Sequence, residues 1–188
     1  GTNYQLSLSA PIQTRPFVMQ FEESDFHFMQ RWIEYEGAFY YFKQGQSCEE
    51  LIVIDDNMSL PTDVLSLKYI QQGTMNKVES TQALTSFNAT QSLKTRTVQL
   101  RDYNYEHAED LVSAKDQDNK ALWGEKFIFG GNLLKDSIAK QYASLRLQAE
   151  STLGMVVRGK TMVTGIAPGA LISVSNHPNK SLNQTFRV

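Results

Sequence analysis

Residues 21–42 constrain this chain more than any other stretch. Ser24 or Asp25 caps a helix, because a short side-chain oxygen satisfies a backbone N–H that the first turn leaves without a partner. Phe26, Met29, Trp32 and Ile33 then share one helical face, with Phe28 and Tyr35 on its flanks. Gly37 suits the left-handed backbone that ends a helix. Residues 38–43, dense in aromatics, read as a strand. Residues 51–54, running into Asp55-Asp56, read as its hairpin partner across a loop of about six residues around Gly45. A helix, a glycine stop and a hairpin are therefore expected in that order.

The flanking sequence adds mostly strands. Residues 1–16, with Pro11 and Pro16, read as an extended lead-in. Phe17, Met19 and Phe21 alternate with Val18, Gln20 and Glu22 as in a short strand. Residues 65–70 are a further strand candidate, followed by a turn at Gln72-Gly73. Residues 78–105 are rich in Thr, Ser and Gln, with Leu84, Phe87, Val98 and Leu100 on the buried faces of strands. Residues 106–124 are charged and aperiodic and read as a loop. Residues 127–129 form a short strand that Gly130-Gly131 breaks. Asp136 is the expected N-cap of a second helix. Its stripe is Ile138, Tyr142, Leu145 and Ala149, and it ends at Gly154. Residues 155–163, 171–175 and 185–188 read as strands, with turns at Pro168-Gly169 and His177-Pro178-Asn179. The last strand breaks off as if the chain were cut from a longer protein.

Composition narrows the function. Of the 188 residues 41% are hydrophobic and 20% charged, enough for a packed core. The formal net charge is −2, with no dense Lys/Arg run, so the electrostatic footprint of a nucleic-acid binder is missing. No apolar run approaches the roughly 20 residues a membrane-spanning helix needs. The single Cys48 excludes an intrachain disulfide and a cysteine-rich zinc site, a pattern compatible with cytoplasmic folding.

Chemistry is sparse. His27, His107 and His177 are too scattered for metal-ligand spacing. Glu22, Glu23 and Asp25 sit where helix starts gather negative charge, and Asp55-Asp56 ends a strand. Neither group has the defined cleft separation that acid–base carboxylates need. The stretch 129–137 fails as a phosphate loop, because Leu134 stands where a glycine must precede Lys135. Neither a nucleophile elbow nor a Cys/His pair emerges. Phe39, Tyr40, Tyr41 and Phe42 lack basic neighbours, which favours core or protein-interface packing over base stacking.

The order of these features resembles the VgrG family, the spike proteins of the bacterial type VI secretion system, related to phage tail hub (gene D-type) proteins. The matching positions are Arg15, Gln20, Phe21, Glu23, Ser24, Asp25, Phe28, Arg31, Glu34, Glu36, Gly37, Tyr40, Tyr41 and Phe42. The paired strand ending in Asp55 follows. Val98 to Leu111, with Arg101, Asp102 and Tyr103, is similar to the family's Leu-Arg-Asp-Tyr strand. "AKQYASLRLQAE" is similar to its second helix. Gly169, His177, Pro178 and Asn183 fall in its closing pattern. Trp32 stands where a leucine is usual.

The resemblance implies a structural role. The fold expected from it is α+β and mainly β: a helix and hairpin unit over residues 1–75, then a small antiparallel β-barrel with one packed helix over 76–188. The full-length protein is then a homotrimeric hub, docked on a hexameric Hcp-like tube protein and on baseplate proteins. It carries effectors through a target membrane, after cytoplasmic assembly and before secretion with the apparatus. No enzyme activity, cofactor, metal or nucleic acid is implied. A first hub barrel is expected before residue 1, and a spike and needle after residue 188. A contractile-phage hub is the nearest alternative. A cell-wall-cutting domain and a free-standing protein-binding module are the others.

Overall fold

The computed structural model describes residues 3–9, 12, 14–15, 17–45, 47–71 and 83–188. The expected turn at Gln72-Gly73, the boundary at 75/76, Val78, Pro11 and Pro16 lie outside the described residues. In chain order the elements are β1 (Asn3–Ser7), α1 (Asp25–Tyr35), β2 (Phe39–Gln44), β3 (Glu49–Ile54), β4 (Val64–Tyr69), β5 (Ala83–Gln91), β6 (Thr97–Tyr103) and β7 (Leu111–Gln117). They continue with β8 (Glu125–Phe129), α2 (Asp136–Thr152), β9 (Met155–Thr161), β10 (Leu171–Ser175) and β11 (Thr185–Arg187). The chain is α+β and mainly β. It packs as two units, one of residues 1–88 with 158–188 and the other of residues 89–157.

In the first unit the expected hairpin is present. β2 and β3 run antiparallel, Phe39 opposite Ile54 and Gln44 opposite Glu49. β1 then adds parallel to β3, Asn3 opposite Glu50 and Ser7 opposite Ile54. The polar lead-in thus contains a strand. Its sequence pattern is weak because Tyr4 and Leu6 face solvent and the strand is held by its ladder to β3. Residues 17–21, by contrast, take no place in any sheet among the described residues. Alternation is permissive for a strand, but a strand also needs an edge to pair with.

The second sheet is ordered β11-β10-β4-β5-β9. β4 and β10 are parallel, Val64 opposite Leu171, although more than a hundred positions separate them in sequence. The core draws on Leu67, Leu84, Phe87, Ile172 and Val174, all buried.

In the second unit β6 lies between β7 and β8, antiparallel to the first and parallel to the second. The expected loop over 106–124 therefore contains β7. Val112 and Ala114 are buried while Leu111, Ser113 and Lys115 are exposed, so the period of two is real but too short to rise above the surrounding charge. Helix α2 buries Ala139, Tyr142, Ala143 and Leu147. Its covered face is rotated from the expected stripe: Ala149 is exposed, and Ile138 and Leu145 flank the contact. Small alanines at 139 and 143 allow the close approach, which a stripe chosen by side-chain size misses. Lys135 rather than Asp136 occupies the N-cap, without a side-chain cap. Asp136 instead accepts the Ser113 N–H at 3.1 Å.

Among the described residues the sheets are open and no closed barrel is found. The antiparallel barrel expected from the resemblance is replaced by mixed sheets, because strands distant in sequence meet as parallel neighbours (β1–β3, β4–β10, β4–β5 and β6–β8).

Candidate functional site

Most of the residues singled out from the sequence make folding contacts, beginning at the start of α1. Ser24 accepts the His27 N–H at 3.2 Å, the capping bond expected of it. Asp25 opens the helix and accepts from the Gln20 side chain at 2.8 Å; the same amide donates to the Glu23 carbonyl at 2.9 Å. Arg31 reaches back one helical face to grip both carboxylate oxygens of Glu23, and its guanidinium also donates to the Met19 carbonyl at 3.3 Å. The hydrogen bond from Arg31 holds the Glu23 carboxyl below its ordinary range and pushes Arg31 up. Arg31 therefore fixes the direction in which the chain enters the helix.

The other end is fastened by glycine and a second arginine. Gly37 has φ of 77°, and Ala38 and Gly37 donate to the Ile33 and Glu34 carbonyls at 2.9 and 3.2 Å. This paired arrangement is a Schellman stop. Arg15 pairs with Glu36 at 2.8 Å and lies 4.3 Å from the Tyr35 ring centre and 4.8 Å from that of Trp32.

The aromatic strand then splits by face. Tyr41 packs against Ile52, Ile54 and Leu60. Tyr40 stacks edge-on between Phe26 and Phe42, with ring centres 6.2 Å away on each side. Asp55 receives the Ser9 N–H and hydroxyl at 2.9 Å.

The closing pattern is a local clamp. The His177 N–H donates to the Asn183 side-chain oxygen at 2.7 Å, and the Asn183 amide returns to the His177 carbonyl at 3.0 Å. His177 Nδ1 lies 3.1 Å from the Asn179 backbone nitrogen and 3.2 Å from the Asn179 carbonyl oxygen, and Nε2 lies 3.1 Å from the Phe87 carbonyl oxygen. Its ring lies 4.5 Å from that of Tyr69. Pro178 is exposed in the same turn. Gly169 has φ of 83° and donates to the Val188 carbonyl at 2.9 Å.

In the second unit Asp102 is buried and accepts the N–H groups of Leu133 and Tyr103 at 2.7 and 2.8 Å. Arg101 and Tyr103 point outward, with Arg101 5.8 Å from the Phe127 ring centre. Sequence reasoning overlooked Asn104, buried, whose side chain accepts from Glu106 and His107 and donates to Leu134. It also overlooked Arg187, which ties the Pro61 and Gly169 carbonyls at 2.9 and 2.7 Å. An Asn before a charged loop is an ordinary turn signal, and nothing local identifies Arg187's partners.

Among the described residues no group of three His, Cys, Asp or Glu side chains could hold a metal ion. No helix there is long and apolar enough to cross a membrane. What the first unit offers is apolar surface. A groove of about 460 Å³ is lined by Leu6, Ile12, Val18, Met29, Trp32 and Val53. Before and at the start of α1, Phe17, Met19, Phe21 and Phe26 are 72, 53, 66 and 48% exposed, well beyond the isolated apolar side chain that ordinary surfaces carry.

Comparison with known proteins gives the surface a context. Residues 1–188 match the family described as phage tail baseplate hub (GPD). The type VI secretion system spike protein VgrG1b of Pseudomonas aeruginosa is 21% identical over 193 residues, covering 100% of this chain and 26% of that protein. VgrG4b of the same organism is 22% identical over 190 residues, covering 97% of this chain and 23% of its own length. The chain thus spans about a quarter of these relatives. The prophage tail protein gp18 of Listeria monocytogenes is 8% identical with a TM-score of 0.47, over 99% of this chain and 53% of that one.

Proposed function

Because the chain belongs to the phage tail baseplate hub family, we propose that it is a non-catalytic structural part of a type VI secretion spike hub. The match over residues 1–188 carries this reading. The relatives named as spike proteins direct it toward secretion. The motif residues support it, since Glu23, Ser24, Arg31, Gly37, Asp102, His177 and Asn183 serve caps, turns and clamps. The family motif is then a set of fold-defining residues rather than a reaction centre.

In this reading the full-length protein is a homotrimer that caps an Hcp-like hexameric tube and contacts baseplate proteins and effectors. It is assembled in the cytoplasm and leaves with the injection apparatus, which crosses the target membrane. It needs no cofactor and no nucleic acid. Residues 1–75 act as the helix and hairpin unit of the hub, and residues 76–188 as its second, β-rich part. The test is native mass spectrometry of the full-length protein alone and with the tube protein. A trimer that binds the hexamer is expected; a monomer that ignores the tube overturns the reading. Turnover of cell-wall material by the full-length protein overturns its non-catalytic character. A contractile-phage hub is the second reading, favoured by the family's own description. Capsid genes beside this one, in place of secretion ATPase and membrane-complex genes, decide for it.

A further inference from the structure

Two stretches of the first unit have the makings of paired β-structure without the pairing. Residues 17–21 alternate like a strand and contain no charge, yet all five are exposed. Among the described residues no backbone–backbone hydrogen bond engages them. The Met19 carbonyl accepts from Arg31 and the Gln20 side chain donates to Glu23 and Asp25, which pins the segment against the start of α1. Glu22, with φ of 48°, turns the chain out of this extended path into the helix. The second stretch is β1, whose ladder among the described residues engages β3 alone, so that no described strand pairs with its other edge. It too is five residues long and uncharged, with Tyr4 and Leu6 72 and 59% exposed.

Edge strands are ordinarily kept apart by charge, especially lysine, or by being very short. The other edges of this unit follow that practice: β2 carries Lys43, β9 carries Arg158 and Lys160, and β11 has three residues. β1 has no such protection.

We propose that residues 17–21 of one copy add as a strand to the open edge of β1 in a second copy. The occupant is this chain itself, because one contact of this kind satisfies both unprotected stretches at once. They match in length and lack of charge, and among the described residues neither residues 17–21 nor the far edge of β1 has a strand partner. The contact is head-to-tail, so each copy offers one donor and one acceptor and copies join in a ring or a row. Main-chain hydrogen bonds hold the added strand, and the exposed aromatic and aliphatic side chains set its register. The inference rests on the hub reading and deepens it by naming where copies meet.

The test is sedimentation velocity of the 188-residue chain up to millimolar concentration. It compares the unaltered chain with Tyr4→Lys and Met19→Glu, and with the two variants mixed. Both side chains lie at the surface, so thermal melting should match the parent. Should either variant melt early, Leu6→Lys or Phe17→Glu takes its place. Concentration-dependent association of the parent is expected, with each variant monomeric alone. The mixture should form a heterodimer, because one variant keeps an intact donor and the other an intact acceptor. A parent that stays monomeric, association that survives either variant, or a mixture that stays monomeric each overturns the proposal. A full-length trimer that binds the tube despite such a result leaves the hub reading standing and this contact rejected.

Discussion

The buried carboxylate of Asp102 accepts the backbone N–H of Leu133 at 2.7 Å, across 31 positions of sequence. Asp102 is at the end of β6, and Leu133 lies just before α2. The bond anchors the segment that carries the chain from β8 into the helix. It gives an aspartate in a Leu-Arg-Asp-Tyr strand a structural use.

Replacing Asp102 by Ala leaves the Leu133 and Tyr103 N–H groups without their partner. A buried donor stripped of its acceptor costs about 1–3 kcal/mol. Chemical denaturation of Asp102→Ala should show a loss of that size. Asp102→Asn, which keeps an acceptor oxygen, should recover part of it. Equal stability of all three chains would show that water replaces the carboxylate freely.

Gly37→Val forces a β-branched side chain into a backbone with φ of 77°. The left-handed region costs an ordinary L-residue roughly 1–2 kcal/mol, and β-branching adds to that. A lower melting temperature is expected, with Gly37→Asn milder than Gly37→Val. An unchanged melting temperature for Gly37→Val would contradict the helix stop.

Ser24→Ala removes the side-chain acceptor for the His27 N–H. The loss expected for an N-cap is about 1 kcal/mol. Hydrogen exchange should quicken first at the N-terminal turn of α1, and uniform exchange would argue against a capping role.

The Glu23–Arg31 pair makes a pH prediction. The folded-state pKa of Glu23 is lowered from 4.5, chiefly by the hydrogen bond from Arg31. Its contribution to stability is therefore present above the unfolded-state pKa and is lost as pH falls through the folded-state value. An NMR titration of the Glu23 carboxyl should show this depression. Arg31→Gln should return it toward 4.5, and added salt should weaken it. A titration indifferent to Arg31 would dismiss the pair as the cause.

The clamp between His177 and Asn183 should also be measurable. Asn183→Ala frees both the His177 N–H and its carbonyl in one step. Both groups are near the surface, so water recovers part of the loss and a cost of about 1 kcal/mol is expected. Increased exchange of the His177 amide is the direct readout.

The sequence by itself determined the parts that nearest neighbours dictate. A short hydroxyl three residues before a free N–H makes a cap, a glycine makes a left-handed stop, and an aromatic run and an aliphatic run on either side of a short glycine loop make a hairpin. Ser24, Gly37 and the β2–β3 pair follow from those rules, as do the buried Leu84, Phe87, Val98 and Leu100. Tertiary structure decided what depends on which edge is available. It made β1 a strand while leaving residues 17–21 unpaired, turned a charged stretch into β7, and set β4 beside β10. It also turned α2 so that Ala139 and Ala143 are buried beside Tyr142 and Leu147, while Ala149 of the expected stripe is left exposed. The reason is physical: a helix closes its hydrogen bonds within itself, whereas a strand completes them only with a partner that local sequence does not name.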